Sequence, residues 1–220
     1  MPSFDVEQAR FNMIEQQIRP WDVLDPRVLE LLADTPREDF VPAEYRELAF
    51  ADLAIPLGHG QVMMAPKVEA RMLQALDVQP SDFVLEVGTG SGYVTACLAR
   101  LGGRVLSVEI VPELKYAAQE KLAAHGIANA TLRVGDAARG WEPERRYDVI
   151  AVTGSLPVYV DAFQKSLAIG GRLFAVVGEP PVMEALLVRR TAPDGWVREA
   201  LFETDLPPLV NAPRPPRFEF

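Results

Sequence analysis

A doubly wound α/β fold is predicted by three features of this 220-residue sequence. From residue 83 onward, short β-branched runs alternate with helical ones, the pattern of parallel βαβ units. A glycine-rich bend, LEVGTGSGY at 85 to 93, links the first such run to a helix. Two late runs, MEALLVRR (183 to 190) and WVREALFET (196 to 204), are joined by the turn A-P-D-G and read as an antiparallel hairpin on the sheet edge.

The elements follow in order. Asp25 before Pro26 caps a helix running to about Ala33. Val68, Met72 and Leu76, spaced i, i+4, i+8 after Pro66, share one face of a second helix. These form a helical N-terminal segment over residues 1 to 80. FVLEV (83 to 87), RVLSVE (104 to 109), ATLRV (130 to 134), YDVIAVT (147 to 153) and RLFAVV (172 to 177) are the strands of a core over 81 to 205. A helix opens near Ser91, another starts with Pro112 in its first turn and stops at Gly126, and a third runs from about Val158 to Ala168 before Gly170 and Gly171. Right-handed crossovers stack the units into one sheet. The last stretch, 206 to 220, has five prolines in PPLVNAPRPPRFEF and reads as an extended arm on the surface. The whole is expected to be one domain.

Composition narrows the function. The N-terminus carries Asp5 and Glu7 where a signal peptide would be basic and then apolar, and no apolar run approaches membrane-spanning length. With the solitary Cys97, this points to a cytoplasmic protein with no membrane partner. The net charge of −9, without clustered Lys and Arg, argues against nucleic acid as a partner. Two histidines and no paired cysteines give no metal-ligand spacing.

The loop LEVGTGSGY lies where a doubly wound sheet binds its ligand, beyond the carboxyl end of the first strand. A dinucleotide fingerprint places its third glycine five positions after the first. Here Gly88, Gly90 and Gly92 are spaced G-x-G-x-G, and Tyr93 holds that fifth position. Glu86 before the loop suits a cation and would repel a pyrophosphate. Glu109 ends the second strand 21 residues after Gly88, where a carboxylate can accept ribose hydroxyls. Asp136, in GDA after the third strand, can accept from an adenine amino group, with the Ala137 N–H nearby. Each acid alone also reads as a helix cap or a solvated turn.

E-x-G-x-G-x-G resembles the first motif of S-adenosylmethionine (SAM) dependent methyltransferases, and so implies their Rossmann-like fold and SAM as cofactor. The resemblance implies a binding set of Glu86, Gly88, Thr89, Gly90, Gly92 and Tyr93 from the loop. It adds Glu109 and Ile110, Asp136 and Ala137, and Thr153 at the end of the fourth strand. LADTPREDFVP (32 to 42), AIPLGHGQ (54 to 61), VLEVGTGSGYVTA (84 to 96), GDAARGW (135 to 141), DVIAVTGSLP (148 to 157) and LPPLV (206 to 210) are similar to the landmarks of the protein-L-isoaspartate O-methyltransferases, in that family's order. The resemblance implies methylation of the misplaced carboxylate of isomerised aspartyl residues in peptides or proteins, after which the ester collapses to a succinimide.

One departure stands out. Where the family reads T-I-S-x-P with a serine that contacts substrate, this chain reads Val62, Met63, Met64, Ala65 and Pro66. Met64 thus holds the catalytic position, and a thioether cannot donate to a carboxylate. His59, Gln61 and Met63 are the expected substrate neighbours. Backbone N–H groups, Gln61 or Lys67 could orient the acid instead, the loop could be refitted for a small apolar acceptor, or both methionines could simply pack as core. SAM binding without turnover is a further alternative.

Overall fold

The computed structural model describes residues 5–215. It opens with a helix that the sequence pattern does not predict, α1 (Val6–Met13). Asp5 Oδ1 accepts from the Gln8 N–H at 3.0 Å, so the pair Asp5 and Gln8, three apart, is the start signal. A π-helical turn (Ile14–Ile18) and a 3₁₀ turn (Arg19–Trp21) lead to α2 (Pro26–Asp34), capped by Asp25 as expected. Two more 3₁₀ turns, Arg37–Asp39 and Ala43–Leu48, precede a correction to the all-helical expectation for this segment. β1 (Ile55–Gly58) and β2 (Gln61–Met63) pair antiparallel, because Gly58, His59 and Gly60 all take left-handed φ and close a tight tip. α3 (Pro66–Leu76) then buries Val68, Met72 and Leu76.

The main sheet comprises β3 (Phe83–Val87), β4 (Arg104–Glu109), β5 (Ala130–Val134), β6 (Tyr147–Leu156), β7 (Leu167–Glu179), β8 (Val182–Ala192) and β9 (Gly195–Thr204). Its order is β5-β4-β3-β6-β7-β8-β9, parallel from β5 through β7 and antiparallel beyond. The expected doubly wound sheet and edge hairpin are both present. α4 (Tyr93–Leu101) and α5 (Pro112–Ala124) connect the strands on one side of β3, and α6 (Asp161–Lys165) connects β6 to β7. The order of strand addition therefore reverses between β3 and β6, the place where such sheets open a crevice.

The third crossover helix is much shorter than expected, five residues rather than 158 to 168. Leu167 instead begins β7, pairing with Tyr147, and its side chain is fully buried in the core. The register slips between Tyr147 and Val149 as Ala168 to Gly171 bulge out, so the two glycines re-aim a strand and do not stop a helix.

Strand residues alternate between two buried layers, as a sheet covered on both faces requires. Val84, Val105, Val149 and Phe174 join the larger core with α3, α4 and the N-terminal segment. Leu85, Leu106, Ile150 and Leu173 face the other core with Phe163 of α6. The described part of the proline-rich tail fits the surface-arm expectation, none of residues 207–215 being buried, and its start is pinned to the sheet. Leu206 is buried, and Pro208 bridges Ser155 at the end of β6, with Leu209 N donating to Ser155 O at 2.9 Å. Residues 216–220 of that expectation lie outside the described ones. Among the described residues, no helix is long and apolar enough to cross a membrane.

Phe174 is fully buried and tilts against Phe202 of β9 at 6.3 Å. Phe174→Ala should lower the unfolding free energy by about 3–5 kcal/mol in urea titrations, the range for emptying a buried aromatic site. A loss below about 1 kcal/mol would contradict this placement in the core.

Candidate active site

A cleft runs along the carboxyl ends of β3, β4, β5 and β6, in two lobes of about 470 and 350 Å³ that share Gln61, Gly88, Glu109 and Leu209. Its floor is the bend after β3. Gly88 has φ +98°, and a Cβ there would lie 2.4 Å from Thr153 Oγ1. Thr153 is at that point because β6 slips register between Ala151 and Ser155. Its hydroxyl lies 2.9 Å from the Val87 carbonyl and 2.6 Å from that of Gly88, to which it donates.

Glu109, the last residue of β4, accepts from Gly90 N on Oε2 and from Val111 N on Oε1, both at 2.9 Å. One carboxylate thereby fixes the glycine loop to the neighbouring strand tip. Asp136 Oδ1 accepts from Ala138 N at 3.0 Å, and Oδ2 accepts from Asn211 Nδ2 of the tail at 2.9 Å. Of the expected cofactor residues, Gly88, Thr89, Gly90 and Thr153 line the first lobe, while Glu109 and the Ile110, Asp136 and Ala137 group meet in the second.

Three expectations do not meet there. Glu86 is fully buried, because strand alternation turns it with Val84 toward the helices and away from the crevice. Its Oε2 accepts from Thr95 Oγ1 and Ser107 Oγ, both at 2.5 Å, and Ser107 Oγ lies 2.6 Å from Thr89 Oγ1. Glu86 therefore braces the loop from beneath, while Oε1 has no partner among the described residues. Burial pushes its carboxyl up to about 8, against the pull of the Ser107 and Thr95 hydrogen bonds. Tyr93 is buried against Phe40, ring centroids 5.7 Å apart, and does not line the cleft. Gly92 does not line it either: its missing side chain lets α5 approach, since a Cβ would lie 3.0 Å from that of Ala118.

The other wall is β2 together with Met64 just beyond it. Gln61, Val62, Met63 and Met64 all line the first lobe, but both methionines are only 3 % exposed and belong to the larger core. Met64 is thus an apolar wall that can neither donate nor accept a proton, and its expected catalytic part has no group to perform it. His59 stands exposed at the hairpin tip, outside the lining. Lys67 is turned away, its Nζ 2.6 Å from Asp52 Oδ2 and 4.6 Å from the Trp21 ring centroid. Sequence reasoning missed Ser91, Val94, Glu69 and Leu209 as lining residues. The spacing of Glu69, one turn into a helix with buried Val68 and Met72, carried a signal: an acid amid an apolar face.

Comparison with known proteins gives a consistent result. Residues 8–211 match the family described as Protein-L-isoaspartate(D-aspartate) O-methyltransferase (PCMT). A protein-L-isoaspartate O-methyltransferase of Magnetococcus marinus is 39% identical over 205 residues, 93% of this chain and 90% of the relative. One of Aeropyrum pernix is 43% identical over 196 residues, 87% and 75% of the two chains. A solved Plasmodium falciparum structure, described as a protein-L-isoaspartate O-methyltransferase in complex with S-adenosyl-L-homocysteine, shares the fold with a TM-score of 0.77 at 19% identity, covering 93% of this chain and 98% of its own.

Glu86 yields a test of the buried brace. The group ionises near 4.5 when ordinary and near about 8 in the fold, so between those values the folded state binds the extra proton. Its contribution to stability is complete below the lower value and is lost as pH rises through the upper one, by up to about 1.4 kcal/mol per pH unit. Glu86→Gln removes this dependence. The unfolding free energy of the variant minus that of the wild type should climb from pH 5 to pH 8 and then level; a constant difference would contradict a neutral buried acid.

Proposed function

Since the chain belongs to the protein-L-isoaspartate(D-aspartate) O-methyltransferase family, we propose that its strand-end cleft holds S-adenosyl-L-methionine beside the misplaced carboxylate of an isoaspartyl residue. The family makes the chain a SAM-dependent carboxyl methyltransferase of isoaspartyl peptides and proteins. The observation that carries the site assignment is the cleft itself. It is continuous from Asp136 to Met64, it contains Glu109, and among the described residues no lysine or arginine lines it. Such a donor set fits a cationic nucleoside and disfavours a phosphate.

In this reading the side-chain-free backbone at Gly88 and Gly90 allows close approach of the amino-acid end of the cofactor. Glu109, with lone pairs left beyond its two N–H bonds, would hold ribose hydroxyls. Asp136 and the Ala137 N–H would hold the nucleobase edge, flanked by Ile110. When bound, the cofactor supplies a methyl group on a sulfonium, an electrophile suited to a carboxylate that is already ionised at neutral pH. No general base is required of the protein. Its residues need only orient the acceptor and exclude water, effects worth several kcal/mol.

Gln61 is the proposed orienting group. It lines both lobes, and its side-chain amide makes no hydrogen bond among the described residues, so its N–H groups are free to donate to an acceptor carboxylate. Lys67 is engaged elsewhere and the Thr153 hydroxyl faces the Val87 and Gly88 carbonyls. The burial of Met63 and Met64 in the core accounts for both methionines without a change of acceptor. A reducing cytoplasm suits the free, buried Cys97.

Incubation with methyl-labelled SAM and a peptide containing isoaspartate should give a base-labile methyl ester, with none from the aspartyl peptide of the same sequence. Gln61→Ala should raise KM for the peptide about tenfold, as expected for losing a hydrogen bond to a charged group. Equal labelling of both peptides would refute the isoaspartyl reading.

A further inference from the structure

The acceptor wall holds one ionisable group that the reaction as described leaves idle. Glu69 is 1 % exposed and still reaches the cleft beside Met64. Its Oε2 is bonded to Arg37 Nη1, while Oε1 accepts no hydrogen bond from the described residues. Arg37 is itself immobilised. Its Nε donates to Ala49 O and its Nη2 to Met64 O, each at 2.7 Å, and its guanidinium lies 4.9 Å from the Tyr93 ring centroid. The arginine cannot turn to meet an acceptor, but it holds Glu69 with one oxygen toward the cleft.

We propose that Glu69, protonated on Oε1, donates to the acceptor carboxylate a hydrogen bond that the neighbouring Met64 cannot give. The inference rests on the carboxyl-methylation reading above. A neutral Glu69 presents an O–H to the incoming carboxylate, whereas an ionised Glu69 would set two carboxylates directly against each other. Burial raises the Glu69 carboxyl to about 7, against the opposing pull of Arg37. The other titratable groups around it are Tyr93 and Cys97 from α4 and Glu86 from β3. Burial holds all three above their ordinary values, so below pH 7 Arg37 is the charge that faces Glu69 among the described residues.

The test is kcat/KM for an isoaspartyl peptide at saturating SAM from pH 6 to 9, counting ester and released methanol together. For the wild type it should fall above pH 7, approaching about tenfold per unit. Glu69→Gln keeps a carbonyl for Arg37 and an N–H donor that does not titrate, so its profile should be flat. Met64→Ser installs a hydroxyl without touching the ion pair, and the ratio of its rate to the wild-type rate should grow at least about tenfold from pH 6 to 9; this variant decides alone if Glu69→Gln does not fold. Parallel profiles overturn the inference and leave the reaction standing. No methyl product from any of the proteins overturns the reaction and the inference together.

Discussion

No side chain fits at the end of β3. The Thr153 hydroxyl stands 2.4 Å from where the Cβ of any larger residue at Gly88 would lie, and the same hydroxyl donates to the Gly88 carbonyl, with that of Val87 2.9 Å away. Backbone groups that leave the sheet ladder at this point would otherwise lack partners, at a cost of about 1–3 kcal/mol each when buried. The bend therefore requires both a glycine and a register slip in β6 that delivers the threonine. Glu109 then ties Gly90 to the tip of β4, and the Thr89, Ser107 and Glu86 chain holds the loop from below. A cleft with a bare backbone floor is the consequence.

Much of this is legible in the sequence, for reasons that differ by element. The strands announce themselves because both faces are buried, so Val84 and Leu85, or Val149 and Ile150, are apolar in succession. The glycine spacing and the acids at 109 and 136 fix the cleft lining, since these roles depend on position along the strand. Glu86 is misplaced when only strand ends are followed, because the period of two sends a side chain to one face or the other. The overlong third helix arises from Gly170 and Gly171, which stop a helix or bulge a strand equally well; only the burial of Leu167 in its core decides. The β1–β2 hairpin escapes because its tip needs His59 in a left-handed conformation, which a histidine adopts seldom.

Tertiary contacts explain the remainder. Leu209 lines both lobes because the tail pairs with Ser155, and nothing in a proline-rich composition specifies that path. The acceptor wall depends on Arg37, which comes from a 3₁₀ turn far earlier in the chain and reaches the carbonyls of Ala49 and Met64 as well as Glu69. One buried guanidinium thus joins Ala49, the Met64 backbone just beyond β2, and α3. That arrangement makes a methionine at position 64 intelligible: the proposed wall presents hydrogen-bonding groups, from Gln61 and Glu69, around a methionine that packs.

In the proposed assignment the cleft's function turns on acids at the tips of β4 and β5, which would engage a cationic nucleoside above a glycine floor. Titration calorimetry with S-adenosyl-L-methionine addresses this without any acceptor. One equivalent should bind, and Glu109→Ala, with its fold verified by circular dichroism, should weaken binding by about tenfold or more, as expected for losing hydrogen bonds to a charged group. Undiminished affinity in that variant, or no heat of binding to the wild type, would contradict the assignment of the cleft.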